Sequence, residues 1–431
     1  MKMGVVADDV TGSNDIGIMF ARSGCLVYVF SYPGSGSFQH LSKKYLPADI
    51  YILDTNSRLD AREVAYAKVF AATRELQASG CRQFFNKTCS VFRGNIGAEF
   101  DAMLDALDEE LAVVVLGFPK NGRLTVDGIH YVHGRRLEES EFRHDPIHPM
   151  QRSSLVEILQ SQTRRKVALV DHTWVSQGAA ALRARLLQMR SESNYVIVDV
   201  TGQPDLGVIA AAVHDFPVLC GSSALAEALP EVWGLGGNLT QPAAWPRWTG
   251  RGLLCVAGSL MPQTAAQIEH LIALGVQGFV LDTLQLFDPA SRQAQIEALV
   301  WAIFRRLVEG QDALLHTPYH AQSVAETRAA GERAGLSPTE TSRLVSATVA
   351  EITAQTLERS GQNRLVVAGG ETSAAVCARL GVNGMMIWKE IQPGLPSCLS
   401  LSDEPRLLVL KSGSFGSPEF LAQALEHLRA E

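Results

Sequence analysis

Apolar residues along this chain come in short runs, and each run stops abruptly at polar or glycine-rich sequence. MGVVA (3–7) halts at Asp8, and LVYVFS (26–31), DIYILDT (49–55), AVVVLGF (112–118), KVALVDH (166–172), YVIVDV (195–200) and FPVLCGSS (216–223) behave alike. Runs of this length, rich in β-branched residues, read as buried strands. Between several of them lie stretches with helical spacing: DIGIMFARSG after the first run, then 60–79, 96–110, 176–191 and 204–214. The alternation predicts βαβ units, and therefore a parallel sheet covered by helices on both faces.

GLGGNLTQPAAWPRWTGR (234–251) breaks the rhythm with clustered Gly, Pro and Trp. A second series follows, with strands at GLLCVAGS (252–259), GFVLDT (278–283), ALLHTP (313–318), RLVVAGGETS (364–373) and RLLVLKSGSFG (406–416). Helical stretches at 262–274, 290–309, 338–359 and 418–429 separate them. The 431-residue length also favours two domains. We therefore expect an α/β protein of two α/β domains, each a largely parallel sheet flanked by helices, with the active site in the interdomain cleft. The expected domains are 1–235 and 252–431, with a linker at 236–251.

Composition narrows the partners. An apolar share of 46% with 19% charged residues is ordinary for a globular chain. A net charge of −7 gives no reason to expect nucleic acid or an acidic membrane, so an anionic ligand needs a local pocket of Lys and Arg. Seven scattered cysteines without a C-x-x-C fit reduced thiols, and no apolar run is long enough to span a bilayer. A cytoplasmic protein is the expectation, and a homodimer is allowed.

Strand C-termini carry the candidate chemistry. Asp8 and Asp9 close the first strand, Thr11-Gly12-Ser13 reads as the start of the next helix, and Asp15 follows. Helix capping accounts for one carboxylate and poorly for three, so Asp8 or Asp9 is read as accepting from a substrate hydroxyl or acting as its base. LDTNSR (53–58) ends in Arg58, a planar fork suited to a carboxylate. FFNKTCSVFRGNIGAEF (84–100) is the densest stretch, with Lys87, Thr88, Cys89, Ser90 and Arg93 ahead of a helix start. Two cations and two hydroxyls there suit an anionic, hydroxylated molecule. It lacks the glycines of a Walker A loop. GRRLEESEFRHDPIHPM (134–150) reads as an irregular loop folding over a ligand; Pro146 and Pro149 argue against a helix presenting His144 and His148 to zinc, and no metal site is assigned.

The second half repeats one device three times. VVAGGETS (366–373) places Gly369, Gly370, Glu371, Thr372 and Ser373 between a strand and a helix. LKSGSFGSPEF (410–420) does so with Gly413, Ser414 and Gly416, and VAGSLMPQTAAQ (256–267) with Ser259. Glycines admit close backbone approach to phosphate, and helix N-termini offer N–H groups, so a nucleotide is expected here. GSGSFQ (34–39) lacks the third glycine of a dinucleotide fingerprint, which disfavours NAD.

Six blocks in order resemble the four-carbon acid sugar kinase family: ADDVTGSND (7–15), NKTCSVFRGNIGAE (86–99), GRLTVDGIHYVHG (122–134) with RHDPIHPM (143–150), GSSALAEALP (221–230), AGGETS (368–373) and KSGSFG (411–416). The resemblance covers nearly the whole chain. It implies an ATP- and Mg2+-dependent kinase acting on the terminal hydroxyl of D-threonate or D-erythronate, with 3-oxo-tetronates as the alternative. The acid-sugar site would fall on Asp8 or Asp9, Arg58 and Lys87 through Ser90. The ATP site would fall on Ser259, Gly369–Ser373 and Gly413–Gly416. Where many members read Lys-x-Asp-Ser-Thr, this chain has Lys87-Thr88-Cys89-Ser90-Val91, and the usual SGNFG is SGSFG with Ser414. The first departure removes a carboxylate and a hydroxyl and marks a substrate subgroup. A non-catalytic sensor of a sugar acid and a nucleotide is the rival from another class, and an NAD-linked dehydrogenase a third reading.

Overall fold

The computed structural model describes residues 3–32, 34, 36, 38, 48–145, 147–235 and 247–431. Its backbone clusters into two units, Met1–Thr240 and Gln241–Glu431. Residues 236–246 of the expected linker, and Pro146, lie outside the described residues.

The first unit carries β1 (Met3–Ala7), β2 (Val27–Ser31), β3 (Ile50–Asp54), β4 (Gln83–Lys87) and β5 (Ala112–Val115), then the short β6 (Arg123–Val126), β7 (Ile129–Val132) and β8 (Arg135–Arg136). It closes with β9 (Val167–Val170), β10 (Tyr195–Val198) and β11 (Val218–Gly221). Eight of these form one sheet in the order β2-β3-β1-β4-β11-β5-β10-β9, every pair parallel. All five residues of β1, β3 and β4 are buried, as the near-continuous apolar runs require of strands covered on both faces.

Strand order fixes where a ligand can enter. The chain leaves β1 toward β2 and β3 on one side and leaves β4 toward β5 on the other. Diverging connections open a crevice at the carboxyl ends of β1 and β4, the topological switch point of such a sheet.

The second unit contains β12 (Leu254–Ala257), β13 (Gln277–Val280), β14 (Ala313–His316), β15 (Arg364–Ala368), β16 (Gly384–Gln392), β17 (Leu395–Ser400) and β18 (Leu407–Lys411). Their order is β13-β14-β12-β15-β18-β17-β16, parallel through β18, with β17 antiparallel to both neighbours. Here the connections diverge between β12 and β15, a second switch point.

Three local expectations are corrected. The first helix runs Val10–Ala21, starting directly after Asp9 and one residue ahead of the expected start at Thr11-Gly12-Ser13, because the Asp9 side chain accepts from the Gly12 N–H and caps it. Residues 134–150 are not wholly irregular: β8 and two short 3₁₀ turns, Leu137–Glu139 and Glu141–His144, occupy them. That strand completes a small antiparallel sheet, β6-β7-β8. A hairpin, β16–β17, and a helix, Ala321–Arg333, fill stretches that the hydrophobic pattern left unassigned. No helix among the described residues is long and apolar enough to cross a membrane.

Candidate functional site

At the first switch point, backbone hydrogen bonds lock three strand ends together. Asp8 N–H donates to the Lys87 carbonyl at 3.2 Å, and Arg58 N–H to the Asp8 carbonyl at 3.3 Å. The side chains then pair by charge. Arg58 donates through Nε and Nη2 to the two oxygens of Asp8, both at 2.7 Å, and through Nη1 to Asp9. Asp9 is further tied by the Thr11 hydroxyl at 3.1 Å and by the Gly12 amide at 2.6 Å. Burial alone would raise the Asp9 carboxyl, but Arg58, Lys87 and these donors hold it below the usual range. Asp8 and Asp9 push Arg58 upward against its own burial. Arg58 thus faces two internal carboxylates, and two of its five N–H groups remain for a ligand.

Lys87 is buried at the end of β4. Its Nζ donates to the Thr88 carbonyl at 3.1 Å and lies 3.7 Å from Asp15 Oδ2, which also accepts from the Ser223 hydroxyl. A Cβ on Gly12 would stand 2.6 Å from Asp9 Oδ1 and 2.9 Å from that ammonium, so only glycine lets the turn approach so closely. Cations are too few here for the acids present. Burial raises Asp15 to about 6, Asp54 to about 7 and Glu99 to about 8, with neighbouring carboxylates adding to each shift. Glu99 accepts from Ser57 Oγ at 2.7 Å and is largely protonated at neutral pH.

The stretch after β4 turns tightly. Phe92 is buried in the left-handed region at φ 59°, unusual for a bulky residue. Arg93 donates from Nε to Cys89 Sγ at 3.3 Å and from Nη1 to Asp145 at 2.7 Å, stacked 5.2 Å above the Phe142 ring. The 134–150 segment thereby docks onto the Lys87–Arg93 stretch. Burial works against ionisation of the Cys89 thiol, yet Arg93 and Arg58 bring it below its ordinary value. Several buried polar atoms have no hydrogen-bond partner: Asp15 Oδ1, Thr88 Oγ1 and both ends of the Asn14 amide. Orphan polar groups at such a density are open to a hydroxylated ligand.

The second switch point is built from backbone. Gly258 N–H donates to the Ala368 carbonyl at 3.0 Å and Gly369 N–H to the Lys411 carbonyl at 2.8 Å, so the loops after β12, β15 and β18 converge. A Cβ on Gly413 would lie 2.1 Å from Ser259 Oγ, and one on Gly258 the same distance from Thr372 Oγ1. Glu371 accepts from Ser342 Oγ at 2.5 Å, its carboxyl raised by burial, and its Oε1 and Ser373 Oγ lack partners. Ser259, Gly369–Ser373 and Gly413–Gly416 therefore share one surface, while Asp8, Asp9, Asp15, Arg58 and Lys87 through Arg93 share the other unit's crevice.

Sequence reading missed several members. Asn14 sat inside a quoted motif, and Asp54 closes its strand as Asp8 closes β1, a signal that was legible. Glu99 is reached only because the helix Ile96–Leu107 packs back toward Ser57. Asp145 owes its place to a partner 52 positions away. Lys411 was quoted as part of a motif, but nothing in the sequence marks its ammonium as buried. No group of three or more His, Cys, Asp or Glu among the described residues is arranged to hold a metal ion.

Comparison with known proteins follows this division. Residues 3–229 match the model of a sugar-binding N-terminal domain, and residues 254–421 that of a nucleotide-binding C-terminal domain. A Pseudomonas fluorescens protein named 3-oxo-tetronate kinase is 35% identical over 435 residues, covering 99% of this chain and 97% of that one. A Cupriavidus necator protein of the same name is 35% identical over 437 residues, with the same coverage. Among solved structures, a Salmonella typhimurium LT2 protein provisionally described as a tRNA synthase superposes with a TM-score of 0.79 at 30% identity, covering 98% of each chain.

Proposed function

The chain belongs to the four-carbon acid sugar kinase family, whose members join a sugar-binding N-terminal domain to a nucleotide-binding C-terminal domain, and on that premise we propose that it transfers the γ-phosphate of ATP to the terminal hydroxyl of a four-carbon sugar acid. The observation that carries the reading is the contrast between the switch points. One is lined by carboxylates, hydroxyls and the cations Arg58, Lys87 and Arg93, the other by glycines and hydroxyls. The names of the full-length relatives make a 3-oxo-tetronate the first substrate to test, ahead of D-threonate and D-erythronate.

In this reading the acid's carboxylate meets the remaining donors of Arg58 and Lys87, and its hydroxyls meet Asp8, Asp15 and Thr88. Phosphoryl transfer needs alignment and charge stabilisation more than covalent help. A proton acceptor for the attacking hydroxyl was expected at Asp8 or Asp9. Asp9 suits the task poorly, because both its oxygens accept hydrogen bonds and its carboxyl is held low. Asp15 suits it better: Oδ1 has no hydrogen-bond partner, and its carboxyl sits near 6, close to the operating pH. The Gly413 and Gly258 close approaches fit a phosphate chain, and Ser259, Thr372 and Ser373 supply hydroxyl donors. Mg2+ would be held chiefly by the nucleotide's own phosphates, with Glu371 the one carboxylate on these loops, and would neutralise their charge. Seven buried cysteines, none of them in a disulfide, fit a cytoplasmic setting.

ADP release, followed across the 3-oxo-tetronates, D-threonate and D-erythronate, tests the reading. One substrate should yield ADP and a 4-phosphate in equal amounts. Tight binding of both ligands without turnover would instead favour a sensor, and a nicotinamide absorbance change with the same acids a dehydrogenase.

A further inference from the structure

Lys411 ends β18, the strand that delivers the Ser412–Gly416 loop, and its side chain is completely buried. Its Nζ lies 2.9 Å from Thr264 Oγ1, 2.8 Å from the Ser412 carbonyl and 3.0 Å from the Gly413 carbonyl. Each of the three ammonium protons has one acceptor. Thr264, in the first turn of the helix Pro262–Ala273, passes its own hydroxyl proton to the Gly413 carbonyl at 2.8 Å. Strand end, loop and neighbouring helix are therefore joined through one buried cation.

Peptide planarity gives this arrangement a consequence on the other face of the loop. Both peptides are trans, so a carbonyl turned toward the ammonium turns the N–H of the same peptide away from it. Those N–H groups belong to Gly413 and Ser414, beside Ser259, where Gly413 makes its close approach.

We propose that Lys411 is a positioning residue for the nucleotide site, drawing the Ser412 and Gly413 carbonyls inward so that the Gly413 and Ser414 N–H groups face a phosphate. The proposal deepens, and rests on, the assignment of this loop to ATP. All three protons being engaged within the protein, the ammonium does not itself grip the phosphate. It fixes the donors and places a positive charge behind them, which strengthens an anion site without reorganisation on binding. A neutral amine would have two protons for three acceptors and would leave one loop carbonyl without its partner.

The full chain is titrated with ADP by calorimetry, and KM for ATP and for the sugar acid are measured separately. Lys411→Met should weaken ADP at least tenfold and raise KM for ATP similarly, leaving KM for the acid within twofold. Thr264→Val should weaken ADP three- to tenfold, and Thr264→Ser should restore it. A folded Lys411→Met protein with wild-type ADP affinity would overturn the proposal, as would equal losses in both KM values. Should Lys411→Met fail to fold, Thr264→Val decides the matter, and unchanged ADP affinity there sinks it. Wild-type protein that binds no ADP would remove the nucleotide reading itself, a result seen before any variant is compared.

Discussion

Lys87 and Lys411 each end a central strand, each is buried, and each donates to the carbonyl of the residue that follows. Their surroundings differ. Lys87 stands among acids: Asp15 at 3.7 Å, and Asp9, whose carboxyl its charge helps to lower. Lys411 has only neutral oxygens as hydrogen-bond acceptors, and burial brings it down to about 7, with the Cys255 thiol the one ionisable group acting against the shift. The same residue at the same place in a βα unit thus serves two kinds of crevice. In the first, protein charges are paired with one another, where the proposed ligand is a charged polyol. In the second, a solitary buried amine, cationic below about pH 7, stands behind backbone donors. A sugar acid must be held by many directional contacts, whereas a triphosphate needs positive potential and room.

Breaking the pairing in the first crevice should have the largest effect. Arg58→Met leaves Asp8 buried without its paired cation and Asp9 with only the charge of Lys87, and removal of one partner from such a cluster costs roughly 3–5 kcal/mol. Chemical unfolding should show that loss in the transition of the first unit and leave ADP binding to the second unchanged. Equal destabilisation of both units would mean that the cluster is not the local device described.

Titration sharpens the comparison, because the two crevices should respond to pH with opposite sign. Asp15, Asp54 and Glu99 have folded values of about 6, 7 and 8, above those of the unfolded chain. The folded first unit therefore keeps protons that the unfolded chain has released, and its stability falls as pH rises from about 4 through these values. Lys411 is shifted downward, so its penalty is complete below about 7 and fades as pH climbs toward the unfolded lysine value. Each group contributes at most about 1.4 kcal/mol per pH unit. Calorimetric transitions recorded from pH 5 to 9 should move apart in this way. Glu99→Gln should flatten the falling limb and Lys411→Met the rising one; if neither slope changes, the sources are misassigned.

Steric probing of the second crevice comes next. Gly413→Ala would bring a Cβ within 2.1 Å of Ser259 Oγ, and overpacking of this kind costs about 1–3 kcal/mol. Where that strain is relieved by shifting the loop and is regained only when the nucleotide binds, KM for ATP rises by about fivefold to 160-fold, with KM for the acid unmoved. The reverse pattern would exchange the roles of the two units.

Both crevices were legible in the sequence because each sits where an apolar run gives way to polar residues, a local signal. The strands were found for the same reason, with starts displaced by at most two residues, as 26–31 against Val27–Ser31 shows, and ends by as many as five, as 364–373 against Arg364–Ala368 shows. What was missed depends on partners distant in sequence or on absent apolar periodicity. Ala321–Arg333 buries only Gly331, so no hydrophobic stripe announces it. The β16–β17 hairpin carried a usable signal, Pro393-Gly394 between two apolar runs, with Gly394 at φ 76°. The small sheet had two, Asp127-Gly128 and His133-Gly134, all four residues at positive φ as the tight hairpin turns demand. Charge state was closed to sequence altogether. Whether Glu99 or Lys411 holds its proton depends on burial, which the whole fold decides.

Cys89 should give the smallest effect, and it tests how finely the first crevice is tuned. The resembling family often carries an acid at this position, and here the thiol accepts from Arg93 Nε while Asp145 accepts from Nη1. Asp145, lowered by Arg93 against its own burial, already supplies the full negative charge that the guanidinium needs. Cys89→Ser keeps an acceptor for Nε and should change stability by less than about 1 kcal/mol, because the charged partner remains. Cys89→Asp instead sets a second carboxylate beside Arg93, in a crevice already short of cations. It should raise the Asp15 and Glu99 carboxyls further and weaken every tetronate, and it should change the ratio of kcat/KM between a 3-oxo-tetronate and D-threonate by about threefold to tenfold. A carbonyl only accepts hydrogen bonds whereas a hydroxyl also donates, so an added acceptor favours the hydroxylated acid. An unchanged ratio would place residue 89 outside the discriminating contacts and leave the choice between the two acids to Thr88, Ser90 and the docked 134–150 segment.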